Sequence, residues 1–171
     1  MRQELIQLNH FYDLEAFIGG TLKASILKFS SPTENLNINA HRFQIGDVDI
    51  WNCCYGEPIN LSFGEGNYFR IQFHEKGLGI TKMDGREYGV TANSGVISFS
   101  DTQIFFGQDF VQKVVRINKD KLCGKLVAYS GQPLIKPLEF EAGFDCENKK
   151  VQTFIKARMF VETLFSHAPV S

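Results

Sequence analysis

Histidine is scarce in this chain: four residues in 171, at His10, His41, His74 and His167, with no His-x-His pair. Neutral imidazoles supply most ligands in the transition-metal sites of small enzymes, so a histidine-built metal centre is not expected. Glu75 beside His74 does not repair the shortage, because neighbours on a strand point to opposite faces. The Gly-x-Ser-x-Gly elbow, the phosphate-binding loop and the dinucleotide fingerprint are missing too, which removes the common nucleophile and nucleotide-cofactor arrangements. The expectation is a protein with no catalytic residues, no metal and no cofactor, and not an enzyme.

Cysteine is equally sparse. Cys53, Cys54, Cys123 and Cys146 fit neither a metal nor a redox spacing, and the vicinal pair would straddle a strand. They read as reduced thiols of a cytoplasmic chain. The opening MRQELIQLNHFYDLEAF has no continuous apolar run of the kind a signal peptide needs. No stretch approaches the ~18 apolar residues of a membrane helix, so no membrane partner is expected. A formal net charge of −1 leaves no surplus of cations with which to grip a nucleic-acid backbone unaided.

What is present is apolar and strand-like. Hydrophobic residues make up 43% of the chain, which is ordinary for a globular domain, and most of the sixteen Phe fall in strand-like runs where aromatics pack well. A chain of this length fits one domain burying roughly 70% of its unfolded surface. A first strand is predicted at 26–29. Others follow at 42–45, 48–55, 59–63, 68–74, 78–83, 86–90, 96–99, 103–106 and 110–117. Between them lie Gly46-Asp47, Gly56-Glu57-Pro58, Gly64-Glu65-Gly66-Asn67 and Asn93-Ser94-Gly95, rich in residues that tolerate positive φ. Asp84-Gly85 between two alternating runs signals a tight hairpin. Many short strands with regular turns predict a mainly β fold, a sandwich or barrel of jelly-roll type.

Tyr68 to His74 alternates best. Phe69, Ile71 and Phe73 share a face suited to a core; Tyr68, Arg70, Gln72 and His74 share the other, which is either solvated or lines a polar cavity. Ahead of the strands, residues 1–25 form an arm in which Asp13 can cap a short helix through Ile18, ended by Gly19-Gly20. After the barrel at 26–117 the period becomes helical, over 118–166. Asn118 caps a helix to about Tyr129 with Gly131 beyond its end, an irregular link follows at 132–144, and a longer helix is predicted over 147–166. The apolar residues of that last helix cover more than half its circumference, wider than a surface helix needs, so a second surface should cover the excess. That surface is read as a homodimer interface made by Val151, Phe154, Ile155, Arg158, Phe160, Val161, Glu162, Leu164 and Phe165.

Five stretches carry a family resemblance: Tyr68-Phe-Arg-Ile-Gln-Phe-His-Glu-Lys-Gly77, the Asp84-Gly85-Arg86-Glu87-Tyr88 hairpin, Ala92-Asn-Ser-Gly-Val-Ile-Ser-Phe99, Val115-Arg-Ile-Asn-Lys-Asp-Lys-Leu122 and Pro137-Leu-Glu-Phe140. Each is degenerate; their order and spacing resemble the N-terminal effector-binding domain of AraC/XylS-type transcriptional regulators, from about Arg42 to Phe165. The resemblance implies a cupin-like jelly-roll β-barrel that binds a small effector, followed by two α-helices that dimerise. It also implies a separate C-terminal domain with two helix-turn-helix units, through which alone DNA would be contacted. That domain is not in this sequence, and the closing Ser166-His-Ala-Pro-Val-Ser171 reads as an interdomain linker.

Four residues are candidates for the effector site. Arg70 is either a solvated or salt-bridged strand residue or a pocket cation whose fork recognises a carboxylate. Lys113 invites the same comparison. Trp51 and Tyr55 share a strand face with Cys53 and are either core aromatics or a stacking wall for a ligand. In an arabinose-sensing member of the family the last strand gives the pocket an aromatic and a histidine; Val111 and Lys113 stand there in this chain, so sugar binding does not carry over. Other members sense aromatic carboxylates, which a cation with aromatic walls would suit. Arg158 and Glu162, four apart, are either a surface pair worth about 0.3–0.5 kcal/mol or a register device in a two-fold interface. The competing functions are a stand-alone cupin enzyme, an isomerase or dioxygenase, and an oligomerisation module with no ligand.

Overall fold

Turn chemistry sends this chain back and forth. Gly46, Gly56 and Gly85 have φ of 55°, 72° and 74°, and Asp84 joins Gly85 in the left-handed region at 51°, as a two-residue hairpin requires. The computed structural model describes residues 2–29 and 38–166. Within them the strands are β1 (Arg2–Leu8), β2 (Ala24–Phe29), β3 (Ile38–Ile45), β4 (Val48–Cys54), β5 (Ile59–Phe63), β6 (Tyr68–Lys76), β7 (Gly79–Met83), β8 (Arg86–Val90), β9 (Ser94–Ser98), β10 (Thr102–Phe106), β11 (Val111–Asn118) and β12 (Gly143–Asp145). The helices are α1 (Phe11–Ala16), which runs on into a π-helical turn at Phe17–Leu22, α2 (Lys119–Ser130) and α3 (Lys149–Ser166).

The strands form two antiparallel sheets, one of seven strands in the order β1-β3-β4-β11-β6-β9-β12 and one of five in the order β2-β5-β10-β7-β8. The jelly roll is thus a double-sheet sandwich rather than one closed ring of hydrogen bonds, a recognised way for such folds to cover their strands. Its core joins the two sheets: Trp51, Cys53 and Val114 from one meet Leu61, Phe63, Ile104 and Phe106 from the other, with Leu14, Phe17 and Ile18 packed in from the N-terminal helix.

Three features of the N- and C-terminal regions differ from expectation. The arm is largely a strand, since β1 pairs with β3 in the register Ile6↔Ala40 and Leu8↔Ile38; as an edge strand it carries polar residues on both faces and so shows little alternation. His10, not Asp13, holds the N-cap of α1, without a side-chain cap bond. β12 lies in the stretch read as irregular and pairs with β9, too short at three residues to leave a period. By contrast Asn118 caps α2 as expected, its side chain accepting from the Lys121 N–H at 2.9 Å, and Gly131 closes the helix at φ 69°.

The alternation in β6 holds, and both of its faces are covered, the polar one by the facing sheet rather than by solvent. Arg70, Gln72 and His74 are the ones that point between the sheets, at 4%, 0% and 3% exposure. Phe69, Ile71 and Phe73 face outward and are roofed. Ile71 belongs to a cluster with Phe43, Ile50 and Val115 against which Phe154 and Val161 of α3 pack. Phe69 meets Phe140 edge-on at 4.8 Å, and the Arg158 guanidinium lies 5.1 Å from the Phe73 ring. The chain therefore packs in three layers, helix on sheet on sheet, and the middle of the seven-stranded sheet is covered on both faces.

This layering redistributes the residues read as a dimer interface. Phe154, Val161, Arg158 and Glu162 turn toward their own sheet. Arg158 is 6% exposed and donates from Nη1 to Glu162 Oε1 at 2.6 Å, so that pair bridges within the chain on the covered side of the helix. Val151 and Ile155 are half-buried at the flanks. Phe160 and Leu164 face outward, joined by Met159, at 65%, 48% and 53% exposure. The Phe165 side chain and His167 lie outside the described residues.

Candidate functional site

Strand register assembles the inner face of the large sheet row by row, because residues paired across antiparallel strands share a face. Arg70 of β6 stands opposite Arg116 of β11 on one side and Ser98 of β9 on the other. The next row brings Gln72 together with Val114, Val96 and, one strand further, Trp51. The third pairs His74 with Gln112 and then Cys53. A polar ladder thus runs up the middle of an otherwise apolar interior.

Much of that ladder has no hydrogen-bond partner among the described residues. Arg70 Nη1, Gln72 Oε1, Ser98 Oγ, Gln112 Nε2, Trp51 Nε1 and, from the facing sheet, Thr81 Oγ1 are all buried and unpaired, and Arg116 Nε is buried and unpaired as well. Each such group costs roughly 1–3 kcal/mol relative to a satisfied one, and native interiors hold few of them. Seven on one inner face and its facing sheet are an unusual concentration for a packed interior.

The arginine row is the most unusual part. The Arg70 guanidinium lies 4.2 Å from the centre of the Phe63 ring of the facing sheet, and that of Arg116 lies 4.1 Å from the Tyr68 ring. Burial pulls the Arg70 pKa down to about 10, and Arg116 beside it pushes the same way, yet the group remains a cation at neutral pH. Asp49 stands opposite Arg116 on β4, and its Oδ1 accepts from Arg42 Nη2 and Nε at 2.7 and 3.0 Å. A cavity of about 10 Å³, room for roughly one water, opens here between Phe63, Gly64, Gly66, Tyr68, Arg70, Ser98 and Thr102.

At the other end the ladder meets aromatics. His74 sits 5.7 Å from both Phe106 and Phe110, which stack on each other at 4.1 Å, with Tyr55 at 5.1 Å from Phe110. Burial lowers the His74 pKa to about 4, opposed by a backbone hydrogen bond at Gly77, so the imidazole is neutral at pH 7. Tyr55 and Trp51 are each 1% exposed and belong to the packed core; burial raises the Tyr55 phenol well above its ordinary range.

The four residues singled out from the sequence therefore separate. Arg70, Trp51 and Tyr55 share the inner face. Lys113 does not: it stands opposite Phe73 and Asn52 on the outer face and pairs with Glu75 at 3.2 Å, so it cannot reach a ligand held by Arg70. Arg116 and Ser98 were not singled out, and only the register of β6 with β11 and β9 brings them to Arg70. Among the described residues no three His, Cys, Asp or Glu side chains converge as a metal would need, and no helix is long and apolar enough to cross a membrane.

No protein-family model matches the chain, and no curated protein matches it. Among solved structures, the AraC-like transcriptional activator CuxR superposes with a TM-score of 0.73 at 8% identity, covering 98% of this chain and 63% of that one. The chain thus shares the fold of that activator over nearly its whole length while spanning less than two thirds of it. A predicted oxalate decarboxylase from Thermotoga maritima matches with a TM-score of 0.42 at 10% identity over 53% of this chain and 90% of that one. A cupin domain of an XRE family transcriptional regulator from Enterobacter cloacae matches with 0.40 at 10% identity over 47% and 95%.

Proposed function

We propose that this chain is the effector-sensing and dimerising part of a cytoplasmic transcription regulator of the AraC type, and not an enzyme. A small molecule binds between the two sheets, and DNA is contacted through a separate helix-turn-helix domain. The observation that carries this reading is the buried polar face of β6, whose Arg70 and Gln72 have atoms without partners among the described residues. Structural interiors avoid such groups, whereas binding sites use them to orient a ligand.

The layering supplies a route from ligand to partner. Arg70, Gln72 and His74 alternate along one strand with Phe69, Ile71 and Phe73, which form part of the seat of α3 and the preceding link. A ligand that binds one arrangement of β6 better than another shifts the population, and the shift is felt on the opposite face of the same strand. The outward Phe160, Leu164 and Met159 then pair with the same helix of a second copy, the commonest form of association between identical chains.

Thermal melts across a library of small metabolites, followed by sedimentation velocity, test the proposal. At least one compound should raise the melting temperature saturably, as selective binding to the folded state requires. The wild type should sediment as a dimer at about 50 μM, and Phe160→Glu as a folded monomer. No stabilising compound together with an unchanged dimer would point to a ligand-free oligomerisation module. A wild-type monomer would remove the dimer claim.

A further inference from the structure

We propose that Arg70 and Arg116 together form a clamp for the carboxylate of a small organic acid, with the Tyr68 ring as its outer wall. This deepens the sensor reading and rests on it, since the clamp lies between the two sheets, where the effector is placed.

Two arginines paired directly across antiparallel strands have their Cα atoms roughly 4.5–5.5 Å apart. Their side chains share the inner face, and the charge of Arg116 is among the influences that lower the Arg70 pKa, so the two cations repel in a medium that screens poorly. Natural interiors relieve such a pair with a carboxylate. Six ion pairs occur among the described residues, and none includes Arg70 or Arg116. The nearest acid by register, Asp49, is engaged by Arg42. Among the described residues the two cations therefore stand side by side with no ion-pair partner of their own.

Their orientation narrows the chemistry. Each guanidinium has one face against a ring, Phe63 for Arg70 and Tyr68 for Arg116. Stacking uses the face and leaves the N–H edge for an acceptor. Arg70 Nη1 and Arg116 Nε are the buried unpaired donors, and Ser98 Oγ, opposite Arg70, adds a third polar atom. A planar two-oxygen head matches such edges, and the one-water space of about 10 Å³ beside Arg70, Ser98 and Tyr68 admits it only as the Tyr68 ring moves aside. Tyr68 is half-buried, and a Cβ on Gly66 would collide with its ring, so glycine at that position gives the ring its seat. A ligand body larger than the carboxylate enters where that ring now lies.

Melts in sodium benzoate and sodium acetate, against sodium chloride at equal ionic strength, test the clamp. Benzoate should raise the wild-type melting temperature saturably and chloride should not. Arg70→Met and Arg116→Met should each abolish the effect, while Lys113→Met, on the outer face, should keep it in full. In plain buffer Arg70→Met should be at least as stable as the wild type, because it removes a buried charge with no ion-pair partner among the described residues. A structural arginine would give the opposite sign. Should Arg70→Met fail to fold, Arg116→Met carries the same comparison. No saturable effect from either acid, or an effect that survives both substitutions, overturns the proposal. Stabilisation by inorganic phosphate through both arginines without any by benzoate overturns the carboxylate assignment. Neutral compounds that stabilise the wild type and both variants alike would leave the sensor reading standing while the clamp falls.

Discussion

Truncating two phenylalanines of α3, one at a time, tests the layering on which the functional reading depends. Phe154 packs against the Phe43, Ile50 and Val115 cluster on the outer face of the large sheet, and Phe160, six residues on, is 65% exposed. A fully buried Phe→Ala change costs about 3–5 kcal/mol. Phe154 is only half-buried, which brings the expected cost of Phe154→Ala to about 2 kcal/mol on the same scale. Phe160→Ala should stay within about 0.5 kcal/mol at concentrations where the protein is monomeric. In a domain of this size each kcal/mol moves the melting temperature by roughly 2–4 °C, so the expected shifts are about 4–8 °C for Phe154→Ala and under about 2 °C for Phe160→Ala. Urea unfolding followed by far-UV circular dichroism, over a hundredfold range of protein concentration, separates the roles further. The Phe154→Ala loss should not vary with concentration. That of Phe160→Ala should appear only as concentration rises, because association stabilises the folded state by mass action. Equal losses in dilute solution, or a larger one for Phe160→Ala, would mean that α3 presents the other face to the sheet and that β6 does not connect the interior to this helix.

Two further outcomes follow from single groups. The His74 pKa is lowered to about 4 from the ordinary 6.5, so between those values the unfolded chain binds a proton that the folded chain does not; the contribution is complete above pH 6.5 and is lost as pH falls toward 4, by about 3 kcal/mol at most. Urea unfolding at pH 7.5 and 5 should show a smaller loss in His74→Gln than in the wild type, and equal losses would place the acid sensitivity elsewhere. Asn118→Ala removes the oxygen that accepts from Lys121 and should cost about 1 kcal/mol, with Asn118→Ser restoring most of it; a neutral Asn118→Ala would mean that α2 does not depend on its cap.

Local chemistry made most of the strands legible. The Asp84-Gly85 hairpin needs positive φ at both turn residues, and the runs 59–63 and 86–90 lie where β5 and β8 are found. β1 and β12 were harder to find because an edge strand and a three-residue strand leave no usable alternation. The helix cap at Asn118 was equally local, one side chain and one N–H three residues away.

The sequence by itself determined which residues of β6 share a face, because a strand's period is two and needs no partner to express it. It did not determine which face would be inside. An apolar face can bury itself against a second sheet or against a helix, and here Phe69, Ile71 and Phe73 took α3 and the link before it, leaving Arg70, Gln72 and His74 to the interior. Tertiary structure alone decided the rest of the site. Arg116 meets Arg70, and Lys113 is sent to the opposite side, through the register of β6 with β11. A shift of one residue in that pairing would exchange the two cations, since it flips every side chain to the other face. Such a register is set by contacts between distant segments, and no local pattern in either strand encodes it.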